Sequence, residues 1–108
     1  MRRGDRVELK MKKMLQADGK LDDREYICKV LKYDKSRENF HFDLQSGMLT
    51  ELSLDAIYEC KITSVDTQIK CSGRIKERYR GEEGCVLKFQ IENGFYKINL
   101  KNVDKQIM

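Results

Sequence analysis

The chain has 108 residues, 40% hydrophobic and 37% charged, and its 22 Lys and Arg against 18 Asp and Glu leave a net charge of +4. That length makes one domain with a single core and leaves no room for a second. The regular spacing of its apolar residues argues against a disordered chain, while the interspersed charges permit an anionic partner without requiring one.

The N-terminal stretch MRRGDRVELKMKK alternates charged and apolar residues and has no apolar h-region, so it does not read as a signal peptide. No window approaches the roughly 20 apolar residues that cross a bilayer. The expectation is a cytoplasmic chain with no membrane span.

Val7, Leu9 and Met11 alternate with Glu8, Lys10 and Lys12 and predict a half-buried strand, followed by the polar loop QADGKLDDRE. Tyr26 to Tyr33 is a second strand with weaker alternation, entering the turn DKSREN at Asp34 to Asn39. Phe40, Phe42 and Leu44 then face one way and His41, Asp43 and Gln45 the other, before a turn at Gln45 to Gly47.

From Leu52 the even positions Leu54, Ala56, Tyr58, Cys60 and Ile62 form an apolar row. Between Gly47 and Tyr58 the strand count stays open, because LTELSLDAI also suits one helical turn. Ile69, Cys71, Gly73 and Ile75 make one face of the next strand. Lys70, Ser72, Arg74, Lys76 and Arg78 make the other, and Tyr79 shares the parity of the inward set. RGEEG, Arg80 to Gly84, turns the chain into Cys85, Leu87, Phe89 and Ile91, and Glu92-Asn93-Gly94 suits a second hairpin turn.

Six to eight short strands with no proline and no long amphipathic helix predict an all-β fold. A sheet of this size has to pack its apolar face on something, which favours curling into a small antiparallel β-barrel. The domain is expected over residues 1–100, with 101–108 as a short tail.

The candidate sites are few. Arg74, Lys76, Arg78 and Arg80, with Lys88 on the partner strand, would project as a basic row, either the solvated face of a strand or a surface for an anionic partner. Cys28, Cys60, Cys71 and Cys85 include no CxxC pair and each sits in an apolar or alternating run. They read as core thiols, with a metal site or disulfides as the other readings. His41 is the only histidine and is expected outside beside Asp43, with no exposed nucleophile for it to activate. The pairs Asp22-Asp23 and Glu82-Glu83 sit in turns, and the glycines form no phosphate loop. Phe95 and Tyr96 fall on opposite faces, so one of them, beside Lys97, suits docking to a partner unless the tail covers it.

GDRVELK, YICKVLKYDKSRENFHFDL, LTELSLDAIYECKI, CSGRIKERY and GCVLKFQI, over roughly residues 4–100, resemble in their order the split β-barrels of the PilZ superfamily. They look most like the YcgR-like N-terminal (PilZN) barrel of bacterial flagellar brake proteins. That resemblance implies a small antiparallel split barrel that acts in signalling through protein contacts.

PilZ domains themselves bind cyclic di-GMP through RxxxR and [DN]xSxxG motifs. Arg2 and Arg6 stand at the first spacing. Asp34 and Ser36 match the start of the second, whose final glycine is replaced by Asn39, a residue that tolerates left-handed dihedrals. The expected function is therefore a non-enzymatic regulatory or protein-interaction module with a protein partner or a second copy of itself, and with no cofactor or metal. The alternatives are a divergent cyclic di-GMP receptor using Arg2, Arg6, Asp34, Ser36 and Asn39, and a weak nucleic-acid binder using the basic row.

Overall fold

The computed structural model describes residues 2–14, 24–82 and 84–99. It contains six strands: β1 (Arg6–Met14), β2 (Glu25–Asp34), β3 (Asn39–Leu44), β4 (Ala56–Thr63), β5 (Thr67–Gly81) and β6 (Gly84–Asn99), with one 3-10 turn at Leu49–Glu51. All pairings are antiparallel, in the order β1-β2-β3-β6-β5-β4, and β1 also pairs with β4. The predicted loop QADGKLDDRE, apart from its last two residues, and the tail 101–108 lie outside the described residues.

The all-β expectation holds, but the small split β-barrel does not. The six strands form one antiparallel sheet whose hydrogen bonding runs round in a ring without a split. At 15 residues β5 outruns β4, of 8, and from Arg74 to Gly81 it pairs only with β6, whose other side still pairs with β3, so the ring is open along that edge of β5. Length explains the departure. β4 stops pairing with β5 at Gly73, whereas β6 follows β5 to Gly81.

Period-two alternation fills the interior. Val7, Leu9 and Met11 of β1, Phe40, Phe42 and Leu44 of β3, and Ala56, Tyr58, Cys60 and Ile62 of β4 are all buried. The Phe40 ring stacks on Tyr33 at 4.5 Å and on Phe42 at 5.2 Å, and Phe42 meets Phe89 at 5.7 Å, spacings at which aromatic pairs attract beyond their area burial. The weak alternation of β2 has a local cause, because Leu31 is an extra residue between Val30 opposite Phe42 and Lys32 opposite His41.

Between Gly47 and Tyr58 the chain makes the 3-10 turn rather than a strand. Leu52 is completely buried and Leu54 is 42% exposed, so the predicted apolar row starts only at Ala56. The buried Tyr58 hydroxyl accepts the Ser53 main-chain N–H at 2.9 Å and seats this segment against the core.

The second hairpin expected at Glu92-Asn93-Gly94 is absent, and β6 runs through it. Ser72 faces Asn93 and Gly73 faces Ile91, so the extra residues are absorbed as bulges, with Gly94 at φ 69°. A positive dihedral suits a bulge as well as it suits a turn. The backbones of β5 and β6 approach closely here, since a Cβ on Gly73 would lie 1.9 Å from the Gln90 carbonyl oxygen.

Candidate binding surfaces

The predicted basic row does not survive as a row. Lys76 is an extra residue between Ile75 opposite Phe89 and Glu77 opposite Lys88, and this bulge reverses the alternation beyond it. Arg78 then lies opposite the core residue Leu87, and Arg80 opposite Cys85, which packs against the core. Tyr79 instead faces outward opposite Val86. Tyr79, expected inside, is 45% exposed.

Several of these cations are already engaged. Arg74 Nε sits 3.0 Å from Glu92 Oε2, and Arg78 donates to the main-chain carbonyls of Leu49 and Leu52. Lys88 lies opposite both His41 and Glu77. Lys76 and Arg80 are exposed.

The five residues suggested by the PilZ resemblance are not gathered. Arg6 begins β1 opposite Lys29, five residues along β2 from Asp34, or roughly 17 Å at strand rise. It lies 3.6 Å from Glu8. Arg2 is exposed, and its main-chain N–H donates to Asp5 Oδ2 at 2.8 Å.

Asp34 and Ser36 do meet, but bond to each other. The Ser36 hydroxyl donates to Asp34 Oδ1 at 2.8 Å, and the Arg37 N–H donates to the same oxygen. That hydroxyl is the main cause holding the Asp34 carboxyl below its usual range. Asn39, opposite both Asp34 and Gln90, is 3% exposed, and the left-handed position of the turn falls one residue earlier, at Glu38 with φ 53°.

The sequence reading missed a cleft of about 500 Å³ along β1, β4 and β5, lined by their outward residues and by the core residues Leu9, Cys60 and Cys71. Register builds it from two cross-strand rows, Glu8–Lys61–Lys70 and Lys10–Glu59–Ser72, with Lys12, Glu25 and Asn93 at its margins. Lys61 Nζ lies 2.9 Å from Glu8 Oε2, and this contact is the leading cause of Glu8's lowered pKa. The outward lysines are visible as alternation in each strand. Their convergence depends on β1 closing against β4, which no local signal announces.

His41 is half-buried on the outer face, as its parity predicted, between Lys32 and Lys88. Burial, then those two cations, hold its pKa below the ordinary value. Cys28, Cys60 and Cys71 are buried and Cys85 is half-buried, as expected of core thiols. Burial pushes the Cys28 thiol up to about 12. Among the described residues no cluster of His, Cys, Asp and Glu is placed to hold a metal ion, and no helix is long and apolar enough to cross a membrane. The side chains of Phe95 and Tyr96, the suggested docking aromatics, lie outside the described residues.

Comparison with protein-family models, with curated proteins and with solved structures gave no match.

Proposed function

We propose that the chain is a non-enzymatic binding module in a cytoplasmic setting, whose β5–β6 hairpin docks a partner protein with Tyr79 at the centre of the contact. The outward exposure of Tyr79 carries this reading. A half-exposed tyrosine on the same face as the opposed Glu77 and Lys88 offers an aromatic anchor beside a mixed polar rim, and tyrosine supplies much of the binding energy at protein interfaces.

A phosphate track would need the basic side chains to stay available along one face. Here Arg74 is paired with Glu92, and Arg78 holds two carbonyls. The geometry therefore favours a protein partner over a nucleic acid. Photo-crosslinking from a benzophenone side chain at position 79 tests it. A discrete adduct should form there and not from position 65, where Val65 is 89% exposed in the β4–β5 turn. Equal labelling from both positions contradicts the reading.

A second reading attaches to the cleft. Lys12 and Lys70, with Lys10 between the opposed Glu25 and Glu59, gather more cations around one concave floor than the scattered Arg2 and Arg6 do, and suit a small ligand of the nucleotide class. Calorimetric titration with cyclic di-GMP and with GTP, repeated on a Lys10→Ala, Lys70→Ala variant, decides it. Saturable heat lost in the variant supports the cleft, and no heat excludes both ligands.

A further inference from the structure

We propose that Cys60 and Cys71 form a redox modification site, closing a disulfide between β4 and β5 when the chain meets a peroxide. The two cysteines lie directly opposite each other in the β4–β5 ladder. Opposed residues of an antiparallel pair have Cα atoms about 4.5–5.5 Å apart, inside the window of about 4.4–6.8 Å that a disulfide spans. Both point to the interior, at 2% and 6% exposure, on one face of the opposed strands, so their sulfurs face each other.

The pair is asymmetric. Their thiols share a hydrogen bond that lowers Cys71's pKa, while burial raises Cys60's. Cys71 is also the residue at which the β5–β6 ladder is interrupted, between Lys70 opposite Tyr96 and Ser72 opposite Asn93. An interrupted ladder opens more readily than a continuous one, and this gives a small oxidant its entry.

The chemistry balances with hydrogen peroxide as the oxidant. The Cys71 thiolate attacks one peroxide oxygen, the O–O bond breaks, and hydroxide leaves, giving a sulfenic acid at Cys71. The Cys60 sulfur then attacks Cys71 Sγ, its proton goes to the departing hydroxyl, and water leaves. In sum two thiols and one peroxide give one disulfide and two waters.

The test treats the folded chain with hydrogen peroxide, blocks remaining thiols, and maps tryptic peptides without reduction. Cleavage after Lys61 and Lys70 parts the two cysteines, so a bridge joins two peptides. The expected result is loss of two hydrogen masses, a single Cys60–Cys71 bridge, and reversal by dithiothreitol. The bridge should persist in Cys28→Ala. In Cys60→Ala, the Cys71 sulfenic acid should instead be captured by dimedone. A bridge through Cys28 or Cys85, or oxidation confined to Cys85, overturns the proposal. The map on the unaltered chain decides it even if a variant fails to fold.

Discussion

Arg78, on β5, donates from its guanidinium to the main-chain carbonyl of Leu52 and so ties the β5–β6 hairpin to the segment that carries this core residue. Leu52 is fully buried, and a second Arg78 contact reaches the Leu49 carbonyl at 3.2 Å. The bulge at Lys76 makes this reach available, because it turns Arg78 to the core side of the strand.

Removing that tie should therefore destabilise the fold. Charge-assisted hydrogen bonds contribute about 1.5–3 kcal/mol when shielded, and Arg78 is largely exposed, so Arg78→Ala should cost about 1 kcal/mol in urea unfolding. Lys76→Ala, at an exposed neighbour, should stay within about 0.5 kcal/mol of the unaltered chain. Equal effects of the two substitutions would mean that the contact holds nothing.

Gly73→Ala should be far more damaging. The added methyl would meet the Gln90 carbonyl at 1.9 Å and the Ile91 Cα at 3.1 Å. These are main-chain atoms that cannot swing aside, so β5 and β6 would have to part where their register already shifts. A loss of about 3 kcal/mol or more is expected, read as a lower urea midpoint. Gly4→Ala meets no atom within 4 Å, though its φ of 94° still adds local strain, and it should be the milder change.

Acidification should weaken the fold through His41. Its folded pKa lies below the ordinary 6.5 because burial and the flanking Lys32 and Lys88 disfavour the imidazolium, with Glu77 and Asp34 opposing. The unfolded chain therefore binds more protons in the window between the folded value and 6.5. Stability is full above that window and falls as pH drops through it. The thermal midpoint should decline as the pH falls below about 6.5, and the decline should flatten in His41→Gln. The depressed carboxyls of Glu8 and Asp34 give up their contributions only in more acid solution. An identical slope in the variant would remove His41 as the cause.

The core was legible in the sequence because burial in β1, β3 and β4 follows strict alternation, and one residue per position is all that rule needs. The lost positions share one cause. Lys76 on β5, Leu31 on β2 and the Asn93 region of β6 are bulges, where an added residue reverses the alternation downstream. Tyr79 thus emerged where parity had placed it inside, and Asn93-Gly94 served a bulge instead of a hairpin. The ring of hydrogen bonds and the lysine cleft depend on pairing between β1 and β4, across more than 40 residues of chain. Such pairing leaves no periodic trace in either strand.

The docking account is tested most directly by capturing proteins from the cells that express this chain, with the unaltered chain and Tyr79→Ala as parallel baits and circular dichroism confirming that both are folded. The account predicts at least one protein enriched on the unaltered bait, lost with Tyr79→Ala, and retained with a Lys10→Ala, Lys70→Ala bait altered only in the cleft. Identical sets of captured proteins on the unaltered and Tyr79→Ala baits would contradict it.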